Sequence, residues 1–214
     1  MNFMFNLSGA NAPFIKEYNI ASDCNIALGE VVGITDGVVV KALGADAILG
    51  VSAEHHSGKE DILNARACGT KIRVLCSPDA VYSAKAPEYT VLTATQTTLR
   101  IPSIGLSSTL NSGYAVLVSK AENSLNTDAI GTARRISACA VEGDFATITL
   151  SAGSIAQSGD VYMILPDIGQ KLALDTTACG VCFYNSSSSC VLTCVSACEK
   201  TGNIGVKLDN TIFA

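Results

Sequence analysis

Apolar residues recur at every second position along this chain, and almost nothing recurs at the spacing of a helix face. Lys71-Ile72-Arg73-Val74-Leu75-Cys76 sets Ile72, Val74 and Cys76 on one side and two cations on the other. Phe145 to Leu150 sets Ala146, Ile148 and Leu150 against Thr147 and Thr149, and Ile204, Val206 and Leu208 alternate with Gly205, Lys207 and Asp209. Successive side chains of a strand point to opposite faces, so each run reads as a half-buried antiparallel strand. The punctuation agrees. Asp36-Gly37 between Val31-Val32-Gly33-Ile34 and Val38-Val39-Val40 is a strong hairpin signal. Glu142-Gly143-Asp144, Asn185 to Ser189 and Thr201-Gly202-Asn203 are further turns. A helix fits only in short pieces, the best of them Asn123 to Arg135.

One turn-then-strand phrase appears twice. It reads Ile26-Ala27-Leu28-Gly29-Glu30-Val31-Val32-Gly33-Ile34 and then Ile155-Ala156-Gln157-Ser158-Gly159-Asp160-Val161-Tyr162-Met163-Ile164. In both, a short turn delivers a Gly and an acid into an apolar run rich in Val and Ile, which is how a chain enters a buried strand. The expected fold class is all-β: a small N-terminal β-barrel followed by a second β-sandwich or barrel-like domain, with an extended N-terminal arm. Alternation is weakest from Lys85 to Pro102, where two prolines and the Thr-rich run Thr90 to Thr98 dilute it. The expected division is an arm over residues 1–14, a barrel over 15–88, a linker over 89–102 and a second β domain over 103–214.

Charged residues are only 15% of the 214, which leaves a surface dominated by Ser, Thr, Asn, Gly and Ala, suited to close contact with neighbours. The net charge is −5 and no basic run exceeds Arg134-Arg135, which argues against nucleic acid as a partner, since phosphate binding needs clustered cations. Met1 to Ala10 holds no basic residue, so no secretory signal is visible and synthesis in the cytoplasm is expected. Thr176 to Cys198 is uncharged, but Asn185 and the four serines after it would sit in mid-bilayer; two apolar strands in a hairpin are expected there, and no membrane partner.

Chemistry is hard to find. His55 and His56 are adjacent in an extended stretch, point apart and are expected in a solvent-facing loop with no shared metal. Cys179 and Cys182 have the gap of a zinc knuckle, but Cys190, Cys194 and Cys198 fall on one face of a single strand at roughly 13 Å intervals, too far apart to chelate together. These cysteines are expected as small reduced core residues. Glu54, Glu60 and Asp61 near the histidines leave a hydrolytic site open as an alternative, although no nucleophile elbow, phosphate loop or dinucleotide fingerprint is present. The expectation is a protein that is not an enzyme and carries no cofactor or metal.

From about Tyr18 to Ser77 the chain resembles the decoration, or cement, proteins of tailed bacteriophage capsids. The resemblance rests on Ala21-Ser22-Asp23, Ile26-Ala27-Leu28-Gly29-Glu30-Val31-Val32, and the Asp36-Gly37 hairpin into Val38-Val39-Val40-Lys41-Ala42. It continues through Ile48-Leu49-Gly50-Val51-Ser52-Ala53, Gly58 and Cys68-Gly69-Thr70-Lys71-Ile72-Arg73-Val74, with Ser52 where Ala is commoner. The resemblance implies a virion protein on the outer capsid surface, made in the host cytoplasm, that binds the major capsid protein as a homotrimer or monomer and braces neighbouring subunits. Phe3, Phe5, Leu7 and Phe14 of the arm are then the capsid-interface candidates, ordering on docking or folded back on the chain's own barrel. The alternative is a capsid-attached head fibre domain that binds a host surface or glycan.

Overall fold

The computed structural model describes residues 4–5, 14–21, 24–42, 47–57, 70–77, 80–153, 155–174, 181–183 and 191–209. Its strands, in chain order, are β1 (Met4–Phe5), β2 (Ile15–Asn19), β3 (Val31–Thr35), β4 (Val38–Lys41), β5 (Ala47–Ser52) and β6 (Lys71–Leu75). Next come β7 (Val81–Lys85), β8 (Glu88–Thr90), β9 (Thr93–Ala94), β10 (Thr98–Pro102), β11 (Tyr114–Ser119) and β12 (Ala133–Glu142). The last are β13 (Phe145–Leu150), β14 (Val161–Leu165), β15 (Lys171–Leu174), β16 (Val181–Phe183), β17 (Val191–Ala197) and β18 (Asn203–Leu208). They form three antiparallel sheets: β2-β6-β5-β3-β4, β8-β14-β11-β12-β13-β10-β9, and β1-β7-β18-β17-β15-β16.

The chain is all-β, as the alternation requires. Ile72 and Val74, then Ala146, Ile148 and Leu150, then Ile204, Val206 and Leu208 are buried on the faces expected of them. Asp36 and Gly37 both take positive φ, 50° and 80°, the geometry of a two-residue hairpin turn whose twist matches its strands. Among the described residues no sheet closes into a barrel. In the first sheet a single parallel bridge, Ile20 to Val39, draws the two edges together without building a ladder.

Three other expectations are corrected. Residues 89–102 carry β8, β9 and β10, and Leu99 and Ile101 have no exposed surface. Thr is a good strand former and Pro102 sits at a strand end, where its missing N–H does no harm, so neither breaks the sheet. Asn123 to Arg135 forms no helix: it runs through turns into β12. Strands do form at both ends of the uncharged stretch, but β16 and β17 do not pair with each other, because β15 lies between them.

The first and third sheets follow the same path. The order β2-β6-β5-β3-β4 in one is the order β7-β18-β17-β15-β16 in the other. Register matches as well as order. Ser52 faces Val74 where Cys194 faces Val206, and Val51 faces Leu75 where Thr193 faces Lys207. Lys16 faces Val74 where Tyr82 faces Val206, and Val31 faces Val51 where Lys171 faces Thr193. The chain therefore contains two copies of a five-strand unit, and the seven-stranded sheet enters the second copy between its first strand, β7, and its second, β15. This interleaving cuts across a division at 89–102, since the third sheet draws strands from both sides of that stretch.

Apolar burial holds the parts together. Val32, Val39, Leu49, Ile72 and Val74 fill the interior of the first unit. Val31, Ala42, Ile48 and Val51 of that unit belong instead to the large cluster that also takes in Leu99, Ile148, Ile164, Leu192 and Val206 of the other two sheets. Each such Val, Leu or Ile side chain contributes about 1.5–3 kcal/mol when removed from water.

Candidate interaction surface

The repeated phrase is one turn built three times. Glu30 N–H donates to Ala27 C=O at 3.1 Å, Asp160 N–H to Gln157 C=O at 3.1 Å, and Gln170 N–H to Asp167 C=O at 3.1 Å. The third residue of each is glycine at positive φ: Gly29 at 81°, Gly159 at 88° and Gly169 at 88°. These are type II turns, whose third position requires the left-handed backbone that glycine adopts without a Cβ clash. The side chain of the fourth residue reaches back to the N–H of the first: Ala27 to Glu30 at 2.8 Å, Gln157 to Asp160 at 3.0 Å, Asp167 to Gln170 at 3.2 Å. Each turn is then sewn to a neighbouring strand by two backbone bonds, to Ser52, Val91 and Cys194 respectively. The Asp167 copy escaped sequence reading because Gln170 replaces the acid and Lys171 opens the strand.

Turns of the same backbone type occur at Ser103-Ile104-Gly105-Leu106 and Ala129-Ile130-Gly131-Thr132. Four of the five turns carry a large aliphatic residue at the second position, exposed at 62% for Leu28, 76% for Ile104, 66% for Ile130 and 72% for Ile168. The second position of a type II turn lies in extended backbone, which suits the β-branched Ile104, Ile130 and Ile168. Leu28 and Ile168 occupy the same place in the two copies of the five-strand unit. A β-branched side chain on a hydrogen-bonded turn has little conformational freedom left to lose on contact, so the three isoleucines expose apolar surface at low entropic cost to any contact.

Of the arm, Phe3 and Leu7 lie outside the described residues. Phe5 belongs to β1, where it stands opposite Tyr82. Phe14 is 52% exposed, its carbonyl accepts the Cys76 N–H at 2.9 Å, and Lys16 Nζ lies 5.4 Å from its ring centroid. The structure thus places Phe14 beside the first unit and the Phe5 backbone beside the second.

His56 is not in a solvent-facing loop. It is buried, exchanges two 2.8 Å backbone bonds with Ile26, and its Nδ1 lies 3.2 Å from the Cys24 carbonyl. Glu54 binds the backbone and side chain of Arg73, while Glu60 and Asp61 lie outside the described residues. Cys194 is buried with Leu192, but a bulge between Cys194 and Ser196 puts Cys198 on the surface, against the single-face expectation. Cys179 and Cys190 lie outside the described residues, and the described part of Cys182 is its place in β16. Among the described residues no three His, Cys, Asp or Glu side chains converge on a metal position. An open cleft of about 440 Å³ lies between β11, β14 and the turn before β18, with Val116, Val118, Ile130 and Met163 lining it beside Lys85 and Lys200.

No family model, curated protein or solved structure matches the chain.

Proposed function

We propose that this is a structural virion protein that attaches to the outer surface of a tailed-phage capsid and stabilises contacts between major capsid subunits. The observation that carries this reading is the set of exposed aliphatic residues on rigid turns, Leu28, Ile104, Ile130 and Ile168, in a sparsely charged surface. Such a surface is built for contact. Each residue contributes about 1–2 kcal/mol when covered, so useful affinity comes from engaging several at once on a repeating lattice. The stretch that resembles decoration proteins, Tyr18 to Ser77, spans most of the first five-strand unit, and the same strand path recurs in the second. One polypeptide then presents two equivalent turn tips, Leu28 and Ile168, to neighbouring capsid subunits.

The test mixes purified protein with undecorated capsids of the virus that encodes it and counts bound copies by imaging and sedimentation. Saturable binding is expected, with occupancy reduced roughly tenfold or more by the combined Leu28→Asp and Ile168→Asp changes in a protein of unchanged fold. Absence of wild-type binding, or full occupancy by the variant, overturns this reading.

A further inference from the structure

We infer that the outer edge of β2 accepts the N-terminal strand of a second copy of this chain. The starting point is the equivalence of β2 and β7, the first strands of the two five-strand units. On β7 the outer edge is filled: β1 pairs with it antiparallel, Met4 opposite Ser83 and Phe5 opposite Tyr82. On β2 the equivalent edge meets β4 in the single Ile20–Val39 bridge just past its C-terminal end but has no ladder partner among the described residues, and Ile15, Lys16 and Glu17, at the end away from that bridge, are exposed.

The backbone on that edge faces the right way. The Ile20 N–H donates to Thr70 C=O and the Cys76 N–H to Phe14 C=O, so even-numbered residues of β2 bond inward to β6. Ile15 and Glu17 therefore turn their N–H and C=O groups outward, before the chain reaches the bridge to β4. In the second unit Ala86 N–H donates to Gly202 C=O, which makes Ser83 the outward residue that β1 meets. Ser83 is the counterpart of Glu17. At Glu17 and Ser83 the two edges present the same donor and acceptor in the same register, and the second of them already holds Met4–Phe5 there.

The occupant is the arm of another copy for two reasons. Residues 1–14 carry no charge, so the arm brings none against Lys16 and Glu17, whereas pairing β2 with β2 about its centre sets Glu17 opposite Glu17. The arm is also tethered beside β2. Residues 6–13 reach at most roughly 26–29 Å, enough to cross to the β2 edge of a copy docked edge to edge. Each chain has one arm and two such edges, so exchange competes with pairing on its own β7 and grows with concentration.

Amide hydrogen exchange measured across a dilution series reads this directly. The Glu17 amide is expected to exchange roughly tenfold or more slowly at high concentration, with Lys16 and Tyr18, bonded inward, unchanged. A chain lacking residues 1–13 loses the effect. Should that chain fail to fold, Glu17→Pro in the full chain removes the outward N–H at a position an edge strand tolerates, and is expected to abolish concentration-dependent sedimentation. Exchange at Glu17 that is independent of concentration overturns the inference. So does protection that survives in a folded arm-deleted chain, or self-association unchanged by Glu17→Pro.

Discussion

Asp160 has no exposed surface, yet its carboxylate is served from several sides: the N–H of Ala121 at 3.0 Å, the N–H of Gln157 at 3.0 Å and the Asn126 amide at 2.8 Å. Burial alone raises its pKa, and the donors from Ala121, Asn126, Gln157 and Ser124 outweigh burial, so the net shift is downward from 3.8. A depressed carboxylate stabilises the fold above its unfolded pKa, and that contribution is lost as pH falls through the folded value. Urea unfolding of Asp160→Asn should therefore show a flatter loss of stability below about pH 4 than the wild type, and parallel curves would remove this role. Asp160→Ala should cost roughly 3 kcal/mol at neutral pH, because three N–H groups lose their acceptor. Cys198 is the contrasting case. Its thiol is exposed and lowered by the Thr201 hydroxyl and by the N–H groups of Thr201 and Lys200, whereas burial pushes Cys139 and Cys194 up to about 11. Among the described cysteines, a thiol reagent at neutral pH should modify Cys198 first, and Thr201→Ala should slow it; mass mapping of the label decides. The acid-bearing turns were legible because Gly followed by an acid before an apolar run has a local cause, whereas Cys198 was misplaced because a bulge has no mark in alternation.

Gly50 marks a close approach of two backbones inside the first unit. A Cβ there would collide with the Leu75 carbonyl oxygen across the sheet, while its counterpart in the second unit is the fully buried Leu192. Beside Gly50, β3 and β5 slip by one residue between Val32 and Gly33, a bulge that sharpens the local twist. Bulge and missing side chain let β2 approach β4 closely enough for the Ile20–Val39 bridge. Gly50→Ala should destabilise the protein by more than about 2 kcal/mol, since the obstacle is backbone and cannot rotate away. Chemical denaturation that finds a smaller loss would show that the strands can part without penalty. Strands were readable one by one in the sequence because alternation is local. Their order was not: β16 and β17 look like a hairpin until β15, some residues earlier, takes the place between them.

The molecule has one principal apolar interior to which all three sheets contribute. Val31, Ala42, Ile48 and Val51 from the first unit share it with Leu117, Ile148 and Tyr162 of the second sheet and Leu172, Leu192 and Val206 of the third. Exchange-protected amides of Val74, Ile148 and Val206 are therefore expected to open together in a single cooperative transition. Separate midpoints for the first sheet and the other two would show instead that the first unit folds alone on its own smaller interior.

The sequence by itself determined the all-β class, the turn types and which face of most strands is buried, because these follow from side-chain alternation and from backbone preferences that act over a few residues. Tertiary structure alone decided that the chain holds two copies of one strand path, that a whole sheet interrupts the second copy, and that the first sheet stops short of closure. Those features depend on pairing between residues far apart in the chain: β7 meets β18 more than a hundred positions later, and Tyr82 facing Val206 repeats Lys16 facing Val74 with different side chains. Hydrogen-bonded register is carried by backbone, so it persists where the residues no longer resemble each other.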